Sequence, residues 1–114
     1  MILVLFELSP ADGRAGDYFD LAAALKAELE TIDGFVSIER FESLQRPGRY
    51  LSLSAWRDEA AIAEWRNKAA HRKAQAAGRS GILGDYRLRV ACVVREYGLH
   101  DRAAAPPDSR AAHE

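Results

Sequence analysis

The chain has 114 residues, a length that fits a single domain with a modest hydrophobic core. Its formal net charge of −1 at pH 7 gives no electrostatic reason to expect nucleic acid or a membrane surface as a partner. A single cysteine, Cys92, excludes an internal disulfide framework and favours a reducing compartment, so a cytoplasmic location is expected.

The first half of the chain predicts a strand, a helix and a β-hairpin. Residues 2–9 are rich in strand formers, and their apolar run is too short to cross a membrane. Over residues 17–32 apolar side chains recur every three or four positions, which predicts a helix that is stopped at Gly34. Two alternating runs, 35–44 and 50–56, are separated by a short polar loop and predict an antiparallel hairpin.

The second half predicts a broken helix and a last strand. Asp58 is a good N-cap for a short helix. Asn67 is predicted to cap a second, offset helix that runs through Ala77 and is closed by Gly78. The alternation over residues 86–95 then predicts a long final strand.

The final strand has one apolar face. Every second residue from Leu88 to Val94 is apolar, Cys92 among them, and this register predicts that Cys92 is a buried, unreactive thiol. Arg87 and Arg89 alternate with these residues and are expected on the opposite face.

The order β-α-β-β-α-β is typical of the ferredoxin-like fold, an α+β architecture with a four-stranded antiparallel sheet and both helices on one face. We expect this domain over residues 1–98. Beyond it the composition shifts to alanine, proline, aspartate and arginine, so residues 99–114 are expected to be a flexible tail.

Helices on one side of such a sheet leave its other face uncovered. The alternation in the third strand assigns one of two sets of residues to that face without deciding between them: Leu51, Leu53 and Ala55, or Ser52, Ser54 and Trp56. A half-apolar face of this size needs a cover, and a second copy of the chain is the simplest one. The sequence therefore predicts a homodimer.

Four segments of the chain carry a family resemblance: Ile-Asp-Gly-Phe-Val at 32–36, Tyr-Leu-Ser-Leu-Ser-Ala-Trp at 50–56, Glu-Trp-Arg-Asn at 64–67, and Ala-His at 70–71. With these segments the chain resembles the antibiotic biosynthesis monooxygenase family over about residues 2–97. This resemblance implies a dimeric α+β barrel. The family includes cofactor-free oxygenases, haem-degrading enzymes, isomerase-like relatives and members with no assigned reaction, so the fold does not fix the chemistry.

Aromatic residues are the first candidates for a ligand pocket. Trp56 ends a strand, and it either shapes the pocket or simply fills the core. Trp65, on a short amphipathic helix, is either a core residue or a pocket residue. It resembles the tryptophan that lines the family's substrate cavity, where its indole N–H would supply one of the few polar groups that an apolar pocket needs. Tyr50 and Tyr86 are further candidates for hydroxyl groups in contact with substrate.

Three polar residues are the candidates for catalysis. His71 titrates near neutral pH and would act as a general base, unless it is a solvent-facing member of a basic run. Asn67 is first a helix cap and second a hydrogen-bond donor to substrate. Arg89 would hold an oxyanion or carboxylate if it faced a cavity, whereas the alternative is a salt bridge at the dimer interface.

Gln75 argues against haem. In the haem-degrading relatives the iron ligand is a histidine ten residues after the pocket tryptophan, and counting from Trp65 places Gln75 there. Glutamine is a poor ligand for haem iron. A ligand shifted to His71 would require the haem to move by about 6 Å along the helix.

The leading hypothesis is a cofactor-free monooxygenase that uses O2 to oxidise a small electron-rich aromatic molecule, such as a quinol or an anthrone. The sequence contains no GxGxxG motif, no P-loop and no histidine–carboxylate cluster at metal-ligand spacing, so no cofactor is expected. The alternative from another class is a small-ligand-binding or stress-associated dimer without turnover. Haem degradation is the weaker third reading.

Overall fold

A computed structural model describes residues 1–77 and 81–113 of the protein. It confirms the ferredoxin-like α+β fold, with an antiparallel four-stranded sheet in the order β2-β3-β1-β4. The elements are β1 (Ile2–Pro10), α1 (Ala15–Leu29), β2 (Phe35–Glu42), β3 (Tyr50–Trp56), α2 (Glu59–Arg66), α3 (Ala69–Ala77), β4 (Leu83–Cys92) and α4 (Pro107–His113).

The pairing register decides which side chains the helices cover. Residues opposite each other in an antiparallel pair share a face, and Trp56 lies opposite Ile2. Trp56 packs with Ala61 of α2, so this face points towards the helices. The other set predicted from the alternation, Leu51, Leu53 and Ala55, therefore occupies the uncovered face.

The core divides into two clusters at opposite ends of the helix-covered face. One cluster consists of Leu29, Ile32, Trp56 and Ala61, all buried. The other consists of Leu8, Tyr18 and Ile82. Burial of a large apolar side chain contributes roughly 1.5–3 kcal/mol, so these few side chains carry much of the stability of a small domain.

The connection from α1 to β2 is fitted closely to the start of α2. Gly34 has φ +92°, a conformation that favours glycine, and its carbonyl accepts a hydrogen bond from the backbone N–H of Arg57 at 2.7 Å. The Asp58 carboxylate accepts from the backbone N–H of Ala61 at 2.9 Å, which confirms Asp58 as the N-cap of α2. These contacts fix where α2 begins above the sheet.

The last strand differs from its prediction in position and in burial. It runs from Leu83 to Cys92 because its pairing with β1 begins at Pro10 and Leu83 and ends at Ile2 and Cys92. The prediction that Cys92 is buried is wrong, since the thiol is exposed in the single chain. The register was right, but β4 is an edge strand that the helices do not cover.

Gly78, the predicted end of α3, lies outside the described residues. The predicted tail contains the seven-residue helix α4, which the sequence analysis did not anticipate. Within the described ranges, no helix has the length and apolar character that crossing a membrane would require.

Candidate active site

The junction between α2 and α3 is built around Asn67. This residue is the C-cap of α2, and its side-chain Nδ2 donates to the carbonyl of Ala63 at 2.8 Å. The prediction that Asn67 caps the start of α3 is therefore corrected, because its amide closes the preceding helix. Its Oδ1 accepts from Arg72 at 2.7 Å. Both ends of the amide are engaged, so a substrate would have to compete for them.

Trp65 and His71 meet across this junction. Their rings stack with a centroid distance of 4.7 Å and an interplanar angle of 22°. Trp65 packs against the core cluster around Trp56, while His71 is half-buried. The Nδ1 atom of His71 is buried and has no hydrogen-bond partner among the described residues. A buried polar atom without a well-aligned partner is uncommon in a folded protein, and it marks His71 as a candidate functional residue.

The environment of His71 favours the neutral ring. Burial lowers its pKa below the ordinary value of 6.5, and the positive charge of Arg72 lowers it further. The backbone carbonyl groups of Arg66 and Trp65 oppose this shift, although neither forms a well-aligned hydrogen bond with Nδ1. A neutral imidazole at physiological pH is the form that accepts a proton from a substrate.

Trp56 belongs to the core. Its side chain is only 2% exposed, its Nε1 donates to Ser54 Oγ at 2.9 Å, and its ring lies edge-on to Phe35 at 5.4 Å. The indole N–H that a pocket residue would offer to a ligand is already used. Of the two interpretations of Trp56, the arrangement favours core filler.

The two candidate tyrosines lie at the other end of the sheet from Trp56. Tyr50 is half-buried and packs edge-on against Phe19 of α1 at 5.0 Å. It also borders a cavity of about 270 Å³ that Arg49 and other residues line. Tyr86 is 49% exposed and lies 5.5 Å from the ring of Phe6. Of these two, Tyr86 is the one with a free surface on the helix-facing side.

Arg89 is on the wrong side of the sheet to meet His71 within one chain. It lies opposite Leu5 in the register, which places it on the uncovered face. There it forms an ion pair with Glu7 at 3.5 Å. A salt bridge was the alternative interpretation of Arg89, and the geometry provides one inside the chain.

An apolar strip on β4 was missed as a site feature. Tyr86, Leu88 and Val90 point towards the helix side, yet they are 49%, 52% and 49% exposed. Val90 lies opposite Val4, and Val4 packs against the same core cluster as Trp65. The strip therefore lies on the same side of the sheet as Trp65. The alternation of apolar residues in β4 predicted this face, but the sequence alone did not show that the helices do not cover it.

Gln75 lies half-buried on α3, and its Oε1 accepts from Arg72 at 3.3 Å. Its amide oxygen is thus part of a polar link within the helix, and a neutral amide is a weak donor to iron. Together, the described residues form a stacked aromatic pair with one imidazole nitrogen that lacks a well-aligned partner, and an open apolar strip on the same side of the sheet.

Comparisons with known proteins bear on this arrangement. A family model described as antibiotic biosynthesis monooxygenase matches residues 1–77. A protein of Pyricularia oryzae called jasmonate monooxygenase ABM is 48% identical over 90 residues, which is 79% of this chain and 42% of that protein. The chain thus spans about two fifths of the length of this relative.

Solved structures show the same fold. Rv0793 from Mycobacterium tuberculosis superimposes with a TM-score of 0.75 at 18% identity, over 85% of this chain and 98% of that one. SnoaB, a cofactor-independent oxygenase from Streptomyces nogalater, superimposes with a TM-score of 0.72 at 13% identity, over 83% and 94%. At such low identity these likenesses concern architecture alone.

Proposed function

This chain belongs to the antibiotic biosynthesis monooxygenase family, and on that premise we propose that it adds oxygen to a small, largely apolar molecule bound beside the Trp65–His71 stack. The observation that carries the proposal is the half-buried imidazole of His71, which stacks on an indole ring and whose buried Nδ1 has no well-aligned hydrogen-bond partner among the described residues. The open strip along Tyr86, Leu88 and Val90 supplies apolar surface nearby.

In the proposed reaction His71 takes a proton from the substrate. The resulting anion is electron-rich and transfers electrons to O2. One oxygen atom enters the substrate, and the other leaves as water with the two hydrogens that the substrate loses. The protein's part is to bind the substrate, hold His71 neutral and exclude bulk water. We propose that this proceeds without a cofactor, since Gln75 stands where the resemblance would require a haem-ligating histidine.

Two substrate classes have specific support. Quinols and anthrones suit the chemistry of a base without a cofactor, and the fold neighbour SnoaB is described as a cofactor-independent oxygenase. Jasmonate, a cyclopentanone carboxylate with an apolar chain, is supported by the name of the relative that is 48% identical. A strip from residue 86 to residue 90 extends over roughly 13 Å, which accommodates either a fused ring system or an extended chain.

Oxygen consumption tests the proposal. A panel containing quinols, anthrones and jasmonate is offered to the wild type, to His71→Ala and to Trp65→Phe. We expect turnover of at least one class by the wild type and a loss of about 10²-fold or more in His71→Ala, because a general base contributes on that order. Binding without turnover across the panel would favour the ligand-binding alternative. A Soret shift on haemin titration that disappears in His71→Ala would favour haem.

We also propose that two copies pair through the uncovered face. Leu3, Leu5, Leu51 and Leu53 lie there, and family members are commonly dimeric. An apolar face of this kind is unstable in water without a cover. Light scattering after gel filtration should give twice the chain mass, and Leu53→Asp should give the single chain mass. Leu44→Asp, in a loop with a fully exposed side chain, is the matched control that should leave the dimer intact.

A further inference from the structure

Arg72 connects the two halves of the broken helix. One guanidinium nitrogen, Nη2, donates to Asn67 Oδ1 at 2.7 Å, and the other, Nη1, donates to Gln75 Oε1 at 3.3 Å. Asn67 closes α2, whereas Gln75 lies on α3. Arg72 itself belongs to α3, so its bond to Asn67 joins the two helices, while its bond to Gln75 within α3 holds the guanidinium in place.

The geometry of the junction determines whether the two rings meet. Trp65 is in the last turn of α2 and His71 is near the start of α3, so their stacking requires a fixed angle between the helices. Two backbone hydrogen bonds, from Lys68 to Trp65 and from Arg72 to Lys68, cross the break. They restrain the chain locally, and the orientation of α3 depends further on side-chain contacts across the junction and on the burial of Ala74.

We propose that Arg72 is a positioning residue, whose forked guanidinium holds α3 against the end of α2 and thereby keeps the His71 ring on the indole of Trp65. It acts through His71 and not on the substrate. Its importance for catalysis rests on the proposed function, in which His71 is the base. The role of Arg72 in the geometry of the junction is independent of the proposed function.

Arginine suits this task better than lysine. A planar guanidinium donates in two fixed directions at once, whereas an ammonium group is a flexible point charge. Around the ring, the charged residues that bear on His71 are Arg72 of α3 and Arg66 of α2, the latter through its backbone. From α1, Glu28 pairs with Lys68 of the junction at 3.5 Å. The positive charge of Arg72, which lowers the pKa of His71, can thus be separated from its forked guanidinium, which positions the ring.

Two substitutions separate them. Arg72→Lys keeps the charge and loses the fork, and Arg72→Gln loses both. NMR of the imidazole reads the geometry as the nuclear Overhauser effect between the His71 and Trp65 rings, and reads the environment as the pKa of His71. With the fork absent, we expect both variants to lose the Overhauser effect and the pKa to rise towards 6.5. The pKa of His71 should rise further in Arg72→Gln than in Arg72→Lys, because Arg72→Gln also removes the positive charge.

Lys73→Gln is the matched control, since it removes a positive charge from the neighbouring exposed position of α3 and should leave both readouts at their wild-type values. If Arg72→Lys keeps the ring contact and the wild-type pKa, the fork has no role and the proposal is overturned. A change in Arg72→Gln alone also overturns it, because charge would then be the whole effect.

Activity gives a separate readout. For any substrate that the wild type turns over, Arg72→Lys should lose roughly tenfold in kcat/KM, because the base is displaced from its reactive position. If no substrate in the panel is turned over, the proposed function is contradicted. The NMR measurements would still test the positioning role of Arg72 independently.

Discussion

The two tryptophans lie close together in the sequence but have different roles, one in the core and one in the candidate site. Trp56 is almost fully buried, and its N–H is bonded to Ser54. Trp65 reaches the same core cluster with one side and stacks on a half-buried histidine with the other. A large aromatic residue whose polar atom is satisfied by the protein is part of the scaffold. One that shields an unsatisfied neighbour is part of a candidate site.

The surroundings of Trp56 are also more firmly held than those of the Trp65–His71 pair. Next to Trp56, the positive-φ turn at Gly34 contacts the start of α2, and Asp58 caps that helix. Next to His71, the bonds made by Arg72 are exposed and lie at the surface. Exposed links contribute less to stability than buried ones. We therefore expect the strand end to be rigid and the α2–α3 junction to be the adjustable region.

Removal of the scaffold tryptophan should have the largest effect. Trp56→Ala is expected to lower the free energy of unfolding by about 3–5 kcal/mol, because it leaves a cavity in the core. Urea denaturation followed by circular dichroism measures this loss. Trp65→Phe, which keeps an aromatic ring at the junction, should cost less than about 1.5 kcal/mol. Equal losses of unfolding free energy in the two variants would contradict the assignment of Trp56 to the scaffold and Trp65 to the site.

The imidazole should matter for turnover far more than for folding. His71→Gln is expected to reduce kcat/KM by about 10²-fold while leaving the urea midpoint nearly unchanged. In the wild type, kcat/KM should fall on the acidic side with an apparent pKa below 6.5, since burial disfavours the protonated ring. An acidic limb that persists unchanged in His71→Gln would assign the titration to another group.

Gly34 tests how firmly the strand end is braced. An added Cβ there would lie 2.9 Å from the Cβ of Ala61, and φ is +92°. Gly34→Ala should destabilise the fold by roughly 1–3 kcal/mol. Gly48 is the matched control: it has φ +86°, and a Cβ there meets nothing within 4 Å. The difference between the two variants measures the contacts with Ala61 and Arg57, and identical losses would show that only backbone strain matters.

The sequence predicted local structure better than it predicted exposure. Alternation located β3 and the shared face of Leu88, Val90 and Cys92, because period-two patterning depends only on neighbouring residues. It failed on the burial of Cys92, since coverage of β4 depends on where α2 and α3 lie. Arg89 lies on the face that the alternation predicted, but the alternation did not show that the helices, and His71 with them, cover the opposite face. Asn67 was identified as a cap, but a capping residue by itself does not tell which of two adjoining helices it closes.

The smallest expected effect is the dependence of stability on the charge of His71. The unfolded chain has the ordinary pKa of about 6.5, whereas the folded pKa is lowered, so the unfolded state binds the proton more tightly. The stabilisation is fully present above about pH 6.5 and is lost as the pH falls towards the lowered folded-state pKa.

Thermal unfolding at about pH 7.5 and pH 5.5 checks this dependence. Between these conditions the wild type should lose more in Tm than His71→Gln, whereas His100→Gln, an exposed histidine outside the sheet, should behave like the wild type. If His71→Gln shows the wild-type decrease, the ring is not desolvated in solution. The α2–α3 junction would then be open, and the contrast with the strand end at Trp56 would be larger than the stacked geometry indicates.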